Sequence, residues 1–94
     1  MTAKTPTASG ISRLLATAGF RRSERQIGGY SSGYVAEKHN AAEGAVRVRH
    51  RFWSMGGGDA APWIAKYAET ITAAGWDVKT NVRGELIVTA KAEA

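Results

Sequence analysis

Val46-Arg47-Val48-Arg49-His50-Arg51-Phe52-Trp53 is the stretch on which the fold turns. Strand side chains alternate between the two faces of a sheet, so Val46, Val48, His50 and Phe52 share one face and Arg47, Arg49, Arg51 and Trp53 the other. The first set is suited to a core. The second is a row of three guanidinium groups about 6.6–7 Å apart, ending in an indole. A run divided in this way reads as an antiparallel strand with one face packed and one facing water.

Working outward, residues 33–39 are a second alternating run, joined to 45–53 through a hairpin loop at 40–44. A hairpin symmetric about Ala42 sets Glu37 opposite Arg47 and Val35 opposite Arg49. Upstream, residues 20–25 are a weaker strand and 26–33 a glycine–serine loop carrying Tyr30. Downstream, 77–82 and 85–90 form another hairpin around Arg83-Gly84.

Two helices frame these strands. Ser9 is the expected N-cap of the first, and Ile11, Leu14, Leu15 and Ala18 recur on one face at i, i+3, i+4 and i+7. Gly19 stands where the chain turns left-handed, and Phe20 is placed to fold back on Leu15. The second follows Asp59 as cap, with Pro62 in its first turn and a stripe of Ala60, Ile64, Tyr67, Ile71 and Ala74. It closes on Gly75 and Trp76, with Trp76 packing on Ile71. The matching endings, Leu15 to Phe20 and Ile71 to Trp76, fit a duplicated half or two helices meeting one capping problem, and the second explanation suffices. The order α-β-β-β-α-β-β predicts an α+β fold, an antiparallel sheet of four or five strands with both helices on one face. The expected core is Ile11, Leu15, Ala18, Phe20, Val46, Val48, Phe52, Ile64, Ile71, Trp76 and Val88. In topology alone, this order resembles the type III secretion chaperone-like fold and a circularly permuted ferredoxin-like sandwich.

With 94 residues, the chain reads as one domain over 9–94 behind a flexible tail at 1–8. A chain this short buries about 60–65% of the surface its unfolded form exposes. Without cysteine, neither a disulfide nor a thiolate metal site supplements the core. No segment approaches a signal or a membrane span, so the expected location is cytoplasmic. The net charge of +5 is lopsided: residues 1–53 hold nine basic side chains against three acidic, and 54–94 hold four against five. Such a charge favours anionic partners without specifying a fold.

The Arg47, Arg49 and Arg51 row has the spacing of phosphates along a single nucleic-acid strand, and Trp53 beside it is a stacking platform. The alternative is a solvated sheet face, with Glu37 balancing one cation and the charges discouraging aggregation. Arg21, Arg22 and Arg25 extend the patch, although cations past a helix C-terminus also favour its dipole. The glycine run at 54–59 precedes a helix but matches no phosphate-binding motif, and Asp59 is an acid where an anion would sit. His50 falls among core positions, where a hydrogen-bonded structural role is expected, and His39 has no partner at ligand spacing. Paired acids, nucleophile elbows and Cys–His arrangements are all lacking. The chain is therefore expected to be a non-catalytic module with no cofactor and no metal. Its expected partner is nucleic acid or an acidic protein surface, held through Arg47, Arg49, Arg51, Trp53, Arg21, Arg22 and Arg25. The alternative is a protein-interaction domain with Tyr30 and Trp63 as contacts: a homodimeric adaptor, chaperone-like, or a mobile-element regulator or inhibitor of a host protein.

Overall fold

A computed structural model of the chain describes residues 5–26, 29–39, 44–52 and 60–90. In chain order the elements are α1 (Ala8–Thr17), β1 (Arg25–Gln26), β2 (Gly29–Tyr30), β3 (Gly33–Lys38), β4 (Val46–Arg51), α2 (Ala61–Ala73), β5 (Trp76–Thr80) and β6 (Leu86–Ala90). The main sheet is antiparallel in the order β3-β4-β6-β5, while β1 and β2 form a short pair of their own. The α+β class is as the sequence predicts, with four strands in the main sheet. No described helix is long and apolar enough to cross a membrane.

The helix boundaries follow from their caps. α1 starts earlier than expected: the cap is Thr7, not Ser9, and its side chain accepts the Gly10 N–H at 3.0 Å. Thr7 and Ala8, assigned to the tail from sequence, thus belong to the helix start, and Pro6 just before them is buried. At the other end Gly19 turns left-handed at φ 98°, the Gly19 N–H reaches the Ala16 carbonyl and the Phe20 N–H reaches that of Leu15. That is the Schellman closure expected from Gly19 and Phe20. α2 begins after Ala60 without a side-chain cap, and Asp59 lies outside the described residues. Its end repeats the turn at Gly75, φ 99°.

Both helices pack on one face of the sheet. Ile11 and Leu15 from α1, Ile64, Tyr67 and Ile71 from α2, and Tyr34, Val46, Val48, Leu86 and Val88 from the strands form one buried cluster. Phe20 and Trp76 pack against it, and the Phe20 ring meets Tyr67 edge-on at 4.9 Å. Two expected core members differ. Ala18 is exposed because it is the C-cap, rotated off the stripe, and Phe52 is only half-buried just past the end of β4.

The expected strand at 20–25 is the main departure. Only Arg22 bridges the sheet, in parallel to Tyr34. The Ser23 N–H donates to the Tyr34 carbonyl and the Tyr34 N–H to the Arg21 carbonyl, both at 2.9 Å. This segment crosses so near Gly33 that a Cβ there would lie 2.6 Å from the Ser23 nitrogen and closer still to the Arg21 carbonyl oxygen. Glycine is required by that approach of two backbones. We predict that Gly33→Ala lowers stability by roughly 1–3 kcal/mol, the usual cost of forcing atoms into filled space. Urea unfolding should show a lower midpoint with an unchanged slope, and an unchanged midpoint would contradict the close approach.

Candidate functional site

The sheet face turned away from the helices carries Arg47, Arg49 and Arg51 of the residues singled out from sequence. The β3–β4 register pairs Glu37 with Arg47 and Val35 with Arg49, as the hairpin symmetry predicts, and Gly33 with Arg51. Across β4, Arg47 pairs with Ile87, and across β6, Ile87 with Lys79 and Thr89 with Asp77. Because alternation is kept through the ladder, Val35, Glu37, Arg47, Arg49, Arg51, Ile87, Thr89, Asp77 and Lys79 share this face.

The arginine row is not electrostatically uniform. Glu37 Oε1 accepts a hydrogen bond from Arg47 Nη2 at 2.7 Å and lies 3.1 Å from Arg49 Nε, close enough for charge attraction but not aligned for a hydrogen bond. One carboxylate therefore serves two guanidinium groups. Burial works to raise the Glu37 pKa, but the Arg47 hydrogen bond and the charges of Arg49, Arg47 and Arg51 outweigh it and hold the carboxyl below its ordinary value. Arg47 also feels Glu85. Glu37 thus balances two cations of the row, where the sequence suggested one.

At the other end of the row Gly33 faces Arg51, and the backbone of residues 21–23 runs past Gly33. Arg21 and Arg22 on that segment are both exposed, but Arg22 bridges to the core-facing Tyr34 and so stands on the helix-bearing side of the sheet, not beside Arg51. Arg13, which the sequence reading did not select, lines a cleft of about 500 Å³ with Arg22, Ser9, Ser12 and Tyr34. On sequence Arg13 is one charge on the wet side of a helix, and only the crossing of residues 21–23 gives it a cationic neighbour. The hydroxyls in that cleft satisfy each other: Tyr34 donates to the Ser12 carbonyl at 2.8 Å, and the two hydroxyls lie 3.0 Å apart. Arg25 and Tyr30 lie in β1 and β2, but their side chains are outside what is described, as is Trp53 entirely.

A second chemical grouping sits between β4 and α2. His50 Nδ1 and the Tyr67 hydroxyl share a hydrogen bond of 2.7 Å. The imidazole stacks on Trp63 with planes 3° apart and meets Phe52 edge-on. Lys66 Nζ lies 5.1 Å from the Trp63 ring centre, within cation–π range. His50 is thus hydrogen-bonded as expected, but at the rim of the core, and Trp63 is 40% exposed rather than packed inside. Whichever tautomer the ring adopts, Nε2 has no hydrogen-bond partner among the described residues. Burial lowers the His50 pKa, and burial, with Tyr34 nearby, pushes the Tyr67 phenol up to about 12. Both rings are therefore neutral near pH 7. His50, Trp63 and Tyr67 line a small cleft of about 260 Å³ with Arg21, Ser32 and Gly33. The signal for this pair lay in the sequence: a histidine on a core face needs a polar partner, and Tyr67 is the hydroxyl on the facing helix stripe.

Among the described residues no three His, Asp or Glu side chains gather closely enough to hold a metal ion. Comparison with protein families, with curated proteins and with solved structures finds no match to this chain, so the likenesses of topology carry no argument.

Tyr67→Phe strips His50 of its hydrogen bond, and we expect a loss of about 1–2 kcal/mol in urea unfolding. The lowered His50 pKa has a definite sign in the pH dependence. Above the ordinary imidazole value, about 6.5, both folded and unfolded rings are neutral and the term vanishes. As the pH falls through that value the unfolded chain takes up the proton first, so stability declines until the folded-state pKa is reached. His50→Gln should flatten this limb between pH 7 and pH 5, and an unchanged limb would show that His50 does not control it.

Proposed function

We propose that the chain is a non-catalytic module that binds a polyanion, nucleic acid first among them, through the arginine-bearing open face of the sheet. The observation that carries the proposal is the row of Arg47, Arg49 and Arg51 side by side on that face, all three turned away from the helices by the register of β4. Phosphate binding is carried by cations whose counterions are released on contact, and cations already matched by a carboxylate contribute less. Arg47 and Arg49 share Glu37, which lowers what each adds to binding.

A protein-interaction role is favoured by a different observation. Trp63 is 40% exposed, on the solvent side of a stacked His50, and Val82 stands fully exposed at the tip of the β5–β6 turn. Tryptophan in such a setting is a common anchor of protein interfaces.

Oligonucleotide titration at two salt concentrations tests the first reading, with two informative variants. Arg51→Ala should remove a phosphate contact and flatten the dependence of log K on log salt by roughly 0.7–0.9. Glu37→Gln should act oppositely, because releasing Arg47 and Arg49 adds contacts: affinity rises and the slope steepens by a similar amount, roughly 0.7–0.9 per contact. Absence of binding to single-stranded or duplex oligonucleotides at low salt would remove the polyanion reading and leave the protein partner. If Glu37→Gln binds as the parent does, the row is a solvated face alone.

A further inference from the structure

We propose that the chain self-associates through the outer edge of β5, which pairs antiparallel with β5 of a second copy about Val78 to give one continuous eight-stranded sheet.

The order β3-β4-β6-β5 leaves two edges. The β3 edge is occupied at Tyr34 by the backbone of residues 21–23. Among the described residues no backbone group bonds the outer side of β5.

Which groups point outward follows from the ladder. In an antiparallel pair, hydrogen-bonded and non-bonded residue pairs alternate. The Asn81 N–H donates to the Glu85 carbonyl at 2.9 Å and closes the hairpin. Stepping back by two residues, Lys79 with Ile87 and Asp77 with Thr89 are the bonded pairs. Trp76, Val78 and Thr80 therefore direct their N–H and C=O groups away from β6. The same count works at the far side of the sheet. The His39 N–H bonds the Ala45 carbonyl, which makes Tyr34 an outward residue of β3, and Tyr34 is the residue that bonds to the 21–23 segment.

Side-chain charge then chooses one register. Centring two copies of β5 on Asp77 or on Lys79 places like charges directly opposite, which is destabilising. Centring on Val78 pairs Val78 with its own copy and Trp76 with Thr80 through main-chain hydrogen bonds. It also sets Asp77 opposite Lys79 at two symmetric places. Those two fall at non-bonded pairs, where side chains approach most closely. On the helix-bearing side, Val78 and Trp76, both half-buried at the margin of the core, meet across the axis and extend the apolar layer. A lysine alone on an edge strand repels copies. An aspartate two residues before it converts the edge into one complementary to itself, which is the reason for naming a second copy as occupant.

Sedimentation of the intact chain over a wide concentration range into the millimolar tests this. The parent should be a reversible dimer. Asp77→Lys and Lys79→Asp should each weaken self-association by roughly tenfold or more, since each turns two symmetric attractions into repulsions, and combining them should restore it. Thr80→Pro provides a readout independent of charge: the Thr80 N–H faces outward, so proline there leaves the β5–β6 ladder intact and removes two intermolecular bonds. It should abolish the dimer while the circular dichroism spectrum stays that of the parent. A parent that is monomeric throughout, single reversals that associate as the parent does, or a folded double reversal that stays monomeric would each overturn the proposal.

Discussion

The strict two-residue alternation of β4 is the constraint on which the rest of the molecule depends. β4 is hydrogen-bonded on both sides, to β3 and to β6, so its register is transmitted to the whole sheet. Val46 and Val48 close the core beneath both helices only if Arg47, Arg49 and Arg51 face outward, and a slip of one residue would drive three guanidinium groups into the helices. Charge on one face thus enforces burial on the other. Glu37 belongs to the same constraint. Once three cations must lie side by side on one strand, an acid at the facing position of β3 lowers their mutual repulsion, and the register puts Glu37 there.

Features set by near neighbours were legible in the sequence. The Gly19-Phe20 closure, the two strands flanking residues 40–44, and the pairings of Glu37 with Arg47 and Val35 with Arg49 follow from capping chemistry and hairpin symmetry. The start of α1 was not, because Thr7 and Ser9 are both competent caps. Thr7 is the one whose side chain accepts an N–H, and Pro6 just before it is buried, which is a matter of tertiary packing. Residues 20–25 misled for a related reason. Their composition suits a strand, but their path is set by where Gly33 allows another backbone to pass.

The candidate site divides along the same line. The arginine row is a local pattern and was readable. That Glu37 reaches a second arginine and that residues 21–23 arrive beside Gly33 are both longer-range events. The His50–Tyr67 bond likewise needs β4 and α2 to be docked. That bond joins the core to the surface: Tyr67 is packed among apolar residues, His50 lies at the rim, and Trp63 covers His50 from solvent while remaining partly exposed itself.

The two proposals reinforce each other through geometry. Antiparallel pairing of β5 about Val78 has its two-fold axis perpendicular to the sheet, so both copies keep their helices on one side and their arginine rows on the other. From β4 of one copy to β4 of the next there are five strand spacings of about 4.8 Å, which sets the rows roughly 24 Å apart along the sheet. A polyanion long enough to span that distance would engage both rows, and the second contact would be made at the effective concentration imposed by the first. A single face, with two of its three row arginines already engaged by Glu37, is a weak binder on electrostatic grounds. Doubling it by edge pairing turns a modest local charge into an extended one, without adding a cation to a strand that already needs a carboxylate to hold three.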